Sequence, residues 1–292
     1  MISAVLSAHM DVETCGVAKF NAALARQLCV PMLSLGSLAS PALVSIHPRE
    51  VETDEPFRRP YDLLLHSWED SSRVKMWISH ARRVYAANPV LARQIDQWRP
   101  GGDVVTVWCP SAVEPTSLDH RSRSILTFGM LHKFDASRYM KLRDLLEADG
   151  LPYEIMLSAA VHHGQDPGDW KGVIESFEHV FGDHWGGKGR LTVLGQLSDT
   201  ALIRELPRVV AVAAFFDPAV RANNTTAWLA LQWGRCLITN LDEDSPKAFE
   251  HGETVYDVNQ MTFWPTDKQR IAANGREVAA QWSWESLATQ FR

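Results

Sequence analysis

VVAVAAFFDPAVRANNTTAWLALQWGRCLITN, residues 209–240, decides the fold. Its first eight residues, 209–216, are wholly apolar and have the length of a buried strand. Asp217-Pro218 ends that run. NNTTAWLALQWG (223–234) reads as a helix, with asparagine and threonine where an N-cap belongs and Gly234 at the stop. RCLITN (235–240) is a strand again. Strand, helix and strand in this order are the unit of an α/β fold with a mainly parallel sheet.

The same alternation extends outward on both sides. Downstream, 267–282 and 283–291 read as helices. Upstream, 190–196 is a strand and 198–206 a short helix capped by Ser198. The segment 153–159 is a strand followed by a helix over 169–181, and 124–131 is a strand followed by a helix over 136–150 that Gly150 closes. In the amino-terminal part, 2–8 reads as a strand. In 15–28, Val17, Phe20, Leu24 and Leu28 share one helical face. Strands follow at 31–37, 61–68, 84–88 and 103–109. Helices are expected over 71–84, capped by Ser71 or Ser72, and over 89–98, with Pro89 in the first turn. Residues 40–60 are rich in proline and charge and read as a loop or ragged edge. The pattern restarts near 123, after the polar, turn-rich EPTSLDHRSR (114–123). The expected organisation is α/β with two Rossmann-like domains, residues 1–120 and 121–292.

Composition narrows the function classes. The chain has 292 residues, 46% of them hydrophobic, and 29 Lys+Arg against 35 Asp+Glu give a net charge of −6. That charge argues against a dedicated nucleic-acid binder. The 4 cysteines form no C-x-x-C pair, which disfavours a disulfide scaffold or a cysteine-rich zinc module. Neither a signal peptide nor a run of transmembrane length is visible, so a cytoplasmic location is expected.

In an open parallel sheet, ligands sit beyond the carboxyl ends of the strands. Three loops there carry candidate residues. Gly16 opens the helix after the first strand, where a ligand can approach the backbone and free N–H groups favour an anion; a plain turn glycine is the bland alternative. Arg221, Asn223, Asn224 and Thr225 crowd one helix N-terminus, more polar groups than a cap requires, as in a diphosphate cradle. Lys133 follows the strand end at 124–131 and is within reach of a phosphate, or is an ordinary exposed lysine.

Four segments resemble one family. TCGVAKFNAALARQL (14–28), LTVLGQLSDTALIREL (191–206), WLALQWGRCLITN (228–240) and WSWESLATQF (282–291) resemble, in family order, the conserved segments of GT-B fold glycosyltransferases of the family 4 (group 1) retaining type. The resemblance spans nearly the whole chain. It implies two Rossmann-like domains facing a cleft, with acceptor on the amino-terminal side and nucleotide-sugar on the carboxyl-terminal side. The final helix would pack back toward the amino-terminal domain. It implies sugar transfer with retention and without a metal, from a UDP- or GDP-sugar to a glycan or lipid-linked acceptor, in a pathway such as surface polysaccharide assembly. The nucleotide-sugar is a substrate, and no other cofactor is implied. Lys133 matches the family's basic residue for the donor diphosphate, residues 222–226 its phosphate-binding helix start, and Gly16 its glycine loop.

One departure opens an alternative. The family's paired glutamates, aligned on Gly234, fall at Arg221 and Leu229, and neither is a carboxylate here. A non-catalytic relative that binds a nucleotide or glycan, or that supports a partner enzyme, is therefore the second reading. An epimerase on the same fold is a third. Near the reacting centre, His66 in LLLHSWED is the candidate for the family's strand-end histidine, with Glu69 and Asp70 beside it as base, acceptor ligand or helix cap. Arg73, Lys75, Arg82 and Arg83 on 71–84 fit either a membrane-surface helix, giving peripheral membrane contact, or a solvated face. The acidic triplet in LDEDSP (241–246) reads as an acidic loop. His162 and His163, with Asp166 and Asp169, read as a loop rather than a metal site. Trp228 and Trp233 read as core.

Overall fold

The computed structural model describes residues 2–13, 15–52, 59–111, 123–131, 134–150, 152–160, 169–182 and 190–291. The chain divides into two compact units, Met1–Ala112 with Trp282–Arg292, and Val113–Gln281.

The first unit runs β1 (Ala4–Ser7), α1 (Gly16–Leu28), β2 (Met32–Ser34), β3 (Ala42–Ile46), β4 (Tyr61–Leu65), α2 (Ser72–His80), β5 (Val84–Ala86), α3 (Pro89–Trp98) and β6 (Val104–Thr106). Its six strands form a parallel sheet in the order β2-β1-β3-β4-β5-β6. Successive residues of a strand face opposite sides. Leu63 and Leu65 of β4 therefore pack with Leu6, Val44, Trp77 and Ile78 on one side. Leu64 packs with Val5, Leu43, Phe20 and Leu24 on the other. Helices cover both faces, which is why the strands are apolar on both. Ser71 and Asn88 cap α2 and α3, accepting from Val74 N at 3.3 Å and Leu91 N at 2.9 Å.

The reading of 40–60 as a loop is corrected here. Ala42–Ile46 is a fully buried strand paired in register with both β1 and β4. Flanking prolines and the polar Ser45 disguise it in sequence. Burial is supplied by its position between two other strands.

The second unit runs β7 (Ser124–Met130), a 3-10 turn at Ala136–Tyr139, α4 (Met140–Asp149), β8 (Glu154–Ala160), α5 (Asp169–Phe181), β9 (Arg190–Gly195), α6 (Asp199–Glu205), β10 (Val209–Ala213), α7 (Thr225–Gln232), β11 (Cys236–Thr239), β12 (Tyr256–Asp257) and α8 (Lys268–Gln281). The strand order is β12-β11-β10-β7-β8-β9, again parallel. Ile155, Leu157, Ala211 and Ile238 pack against Tyr139, Leu142, Leu146, Phe177 and Phe181. Ser198 caps α6 through Ala201 N. Gly150 closes α4 at φ 68°, a conformation that favours glycine. The short β12 has no counterpart in the sequence reading.

The last helix, α9 (Trp284–Thr289), belongs to the first unit. Leu287 and Phe291 enter the core that holds Phe20, Leu64 and Tyr85. Trp108 Nε1 donates to Trp282 O at 3.0 Å, and Trp284 Nε1 to Ser111 O at 2.7 Å. Among the described residues, no helix is long and apolar enough to cross a membrane.

Candidate functional site

The strand orders locate a switch point in each sheet. From β1 the chain builds outward to β2, then returns to place β3 on the other side. From β7 it builds to β8 and β9, then returns to place β10 on the other side. At such points the loops beyond the strand ends diverge and leave a crevice for a ligand. In the second unit those loops follow β7 and β10, and the second of them leads into α7.

The loop from Ala214 to Asn224 is held at several points. Asn240, just after β11, accepts from Phe216 N at 2.8 Å and donates to Phe216 O at 2.9 Å and Pro218 O at 2.7 Å. Arg138, after β7, donates to Phe216 O and to Asp217 Oδ1, and pairs with Asp135. Val220 N donates to Asn240 O at 3.1 Å. The buried Trp228 indole donates to Ala222 O at 2.7 Å. Trp228 and Trp233 are both fully buried, as core residues.

Arg221 makes a bidentate pair with Asp242, Nη1 to Oδ1 and Nη2 to Oδ2, each at 2.7 Å. Nη1 also donates to Val220 O at 3.0 Å. The guanidinium holds the Asp242 carboxyl below the usual carboxylate range. Asp242 Oδ1 further accepts from Asp244 N and Ser245 Oγ. The acidic loop at 241–246 thus supplies the partner of Arg221, whose charge is already matched.

Asn224 stands at the N-cap of α7 but makes no side-chain cap bond. Its Oδ1 accepts instead from Arg221 N at 2.5 Å, while Asn224 N donates to Arg221 O at 3.0 Å. The first bonds into the helix come from Ala227 N and Trp228 N to Asn224 O. The amides of Thr225 and Thr226 precede them and, among the described contacts, receive no acceptor. A helix start in this state presents N–H groups and the positive end of the helix dipole. Thr225 is exposed and Asn223 partly exposed on the same turn. Lys133 lies outside the described residues, as do His162, His163 and Asp166.

In the first unit the switch point lies between β1 and β3. Gly16 is the first residue of α1, and Cys15 Sγ caps that helix through Ala18 N at 3.4 Å. A Cβ on Gly16 would meet nothing within 4 Å, so packing does not require a glycine there. His9 Nε2 lies 3.7 Å from Glu50 Oε2, joining the loops after β1 and β3. Beneath them, Asn21 of α1 donates to Ser7 Oγ at 2.9 Å and Ser45 O at 3.0 Å, and Ser7 Oγ donates to His9 O at 2.6 Å.

His66 follows β4 directly. Its Nε2 is 3.0 Å from Ser45 Oγ, its Nδ1 3.9 Å from Cys109 Sγ, and its ring meets Phe20 edge-on at 5.0 Å. Both ring nitrogens therefore face protein groups. Burial, with a smaller contribution from His47, pushes its pKa down to about 3. The imidazole is neutral in the folded protein at neutral pH. Below pH 6.5 the unfolded chain takes up a proton here that the folded chain refuses until about pH 3. Folding stability is thus expected to fall on acidification across that window, by at most about 1.4 kcal/mol per pH unit from this residue. Urea unfolding at pH 7, 6, 5 and 4 checks this, since His66→Gln should flatten the dependence.

Glu69 Oε1 pairs with Arg73 at 3.5 Å, one turn along α2. Arg73 also donates to Pro48 O and lies over Trp77. Lys75 pairs with Asp70 at 2.5 Å and lies 3.5 Å from the Trp98 ring centroid. Val74, Trp77 and Ile78 are buried in the core. Arg73 and Lys75 of α2 thus have partners within the unit.

Asn240, Arg138, Asn21 and the His9–Glu50 pair were not singled out from sequence. Asn240 at the end of RCLITN carries a faint signal, a polar residue closing a buried strand. Arg138, Asn21, His9 and Glu50 carry none, because their partners are distant in sequence.

No family model and no curated protein matches the sequence. Solved structures do match in fold. HepE of Anabaena, in complex with UDP and glucose, superposes with a TM-score of 0.69 at 12% identity, over 100% of this chain and 98% of that one. The sucrose-phosphate synthase of Thermosynechococcus elongatus gives 0.64 at 14% identity, over 100% and 97%. TarM gives 0.59 at 11% identity, over 86% of this chain and 54% of that one. The fold, two parallel six-stranded sheets with their helices, is that of the GT-B glycosyltransferases.

Proposed function

We propose that this chain is a glycosyltransferase. It moves a sugar from a UDP- or GDP-sugar to a hydroxyl of a glycan or lipid-linked acceptor, with retention and without a metal ion. The unit Val113–Gln281 takes the donor, and the amino-terminal unit takes the acceptor. The observation that carries this reading is the uncapped first turn of α7 beside the switch point of the second sheet. Matching structures of this fold that hold UDP, or UDP and glucose, support it.

The chemistry follows from charge. As the sugar leaves, the nucleoside diphosphate gains negative charge. Fixed N–H donors at Thr225 and Thr226 and the dipole of α7 stabilise that charge without reorganising. Asn223 and the Thr225 hydroxyl can add donors to the same phosphates. The Arg221–Asp242 pair contributes little net charge, so the site relies on dipoles and, in this reading, on Lys133. In the amino-terminal unit, Gly16 lets an acceptor approach the backbone. In this reading His66, neutral and held by Ser45, and Glu69 stand near the reacting centre.

A second reading is a relative that binds nucleotide without transferring sugar. Arg221 is locked to Asp242 and Leu229 is buried, and these are the two positions where the resembled family carries its glutamates. One experiment separates the readings. UDP, GDP and their glucose conjugates are titrated in a thermal-shift series, and the stabilising conjugate is then incubated without acceptor. A ligand of the folded state alone raises the melting temperature. Stabilisation with slow release of free sugar supports the transferase, and stabilisation without release supports the binder. No shift with any of the four nucleotides removes the reading altogether.

A further inference from the structure

We infer that Asp242 is a positioning residue of the nucleotide site, holding Arg221 so that the Asn224 side chain stays off the first turn of α7. The inference rests on the diphosphate reading of that turn.

Asparagine at an N-cap ordinarily accepts from an amide of the first helical turn. Asn88 does so in this chain, accepting from Leu91 N at 2.9 Å. Asn224 has the same side chain in the same position and does not. Its Oδ1 is taken by Arg221 N, within a reciprocal pair of bonds that closes the turn 221–224.

The question is what keeps the Arg221 backbone where Asn224 can reach it. On one side, Arg221 Nη1 ties to the carbonyl of Val220. On the other, both Nη atoms grip Asp242. Asp242 is fixed in turn by Asp244 N and Ser245 Oγ, and Leu241 N before it donates to Asp257. Asp257 is buried and also accepts from Asn259 N and Gln260 Nε2. A rigid corner after β11 thus sets the loop after β10. The Arg221 side chain is only 11% exposed and that of Asp242 24%, so water competes weakly for the pair.

The pair therefore acts through geometry. Released from Asp242, Arg221 gains an unmatched positive charge, which by itself would attract a phosphate. It also loses its side-chain anchor, leaving only the backbone bonds at Val220 and Ala222 to hold the turn, and Asn224 is then expected to cap the helix and close the amides. The two effects have opposite signs on nucleotide affinity, and that makes the inference testable.

The test is calorimetric titration of UDP, GDP and UMP into the full chain. If neither UDP nor GDP binds the wild type, the diphosphate reading fails and this inference with it. If the wild type binds, Asp242→Asn is expected to weaken nucleoside diphosphate at least tenfold while UMP changes less. Asn224→Ala in the Asp242→Asn background is expected to recover most of that loss, because no side chain remains to cap the turn. Unchanged or tighter binding by Asp242→Asn overturns the inference and makes Asp242 a mask on the charge of Arg221. An equal loss for all three nucleotides, with no recovery in the double variant, overturns it as well and leaves a purely structural ion pair. Should Asp242→Asn fail to fold, Arg221→Gln removes the same anchor, and the same recovery by Asn224→Ala is required.

Discussion

A chain ended at Gln281 is expected to lose the cooperative fold of residues 2–109 while residues 190–281 keep theirs. The removed segment starts at Trp282 and supplies Trp284, Leu287, Ala288 and Phe291 to the first unit. Phe291 lies 4.5 Å from the Tyr85 ring centroid, and Trp284 lies 5.3 Å from that of Phe20. Full burial of a leucine or phenylalanine side chain stabilises by roughly 1.5–3 kcal/mol each. Leu287 and Phe291 alone therefore approach the whole stability of an average domain, about 5–15 kcal/mol, at its lower end. Deletion also exposes the α1 face around Phe20 and frees the indole bonds at Trp108 and Ser111. Hydrogen exchange read by segment is the measurement. Protection lost over β1, β4 and β5 and retained over β10 and β11 is the expected result. Protection retained throughout would show that α9 is only an accessory. Phe291→Ala gives the graded version, with a loss of about 3–5 kcal/mol in urea unfolding.

Thr225→Pro is expected to weaken UDP binding by about tenfold to a hundredfold without unfolding α7. Thr225 is the first residue of that helix, where proline costs no helical hydrogen bond and its fixed φ suits the helix start. The preceding residue must be extended, and Asn224 has φ −82° and ψ 90°. The substitution therefore deletes the amide and hydroxyl donors of Thr225 and leaves the helix otherwise intact. A hydrogen bond to a charged phosphate contributes about 1.5–3 kcal/mol, hence the expected range. Ligand-free stability should change by less than about 0.5 kcal/mol, as for an exposed site. Titration calorimetry with UDP, beside urea unfolding of the ligand-free protein, separates the two. UDP affinity equal to wild type would place the phosphates away from this amide.

The architecture was legible because buried parallel strands are continuous apolar runs and the helices between them carry caps. β7, α4, β8, β10, α7 and β11 all stand where the runs and caps put them. The resemblance to GT-B glycosyltransferases agrees with the fold, although overall identity to the matching structures is only 11–14%. β3 was not legible. A five-residue run with a serine inside and prolines around it reads as a strand only once β1 and β4 are known to flank it. Missing β3 also hid the first switch point, and with it His9, Glu50 and the role of Asn21.

The candidate site divides the same way. Its residue types were visible, because Asn223, Asn224, Thr225 and Arg221 crowd one helix start. Their assignments were not. Arg221 read as a free cation for a phosphate, and Asp242 in the folded chain already holds it, 21 residues away. His66 read as a strand-end histidine near the reacting centre, and Ser45 and Cys109 occupy its two nitrogens.

The sequence by itself determined the period of the elements other than β3 and β12, the parallel sheets and the helix start on which the nucleotide reading rests, because these depend on neighbours within one or two turns. Tertiary structure alone decided which charge is matched, which imidazole is neutral and which cap is withheld. Those properties depend on burial and on partners 21 to 43 residues away. Linear spacing carries no record of either.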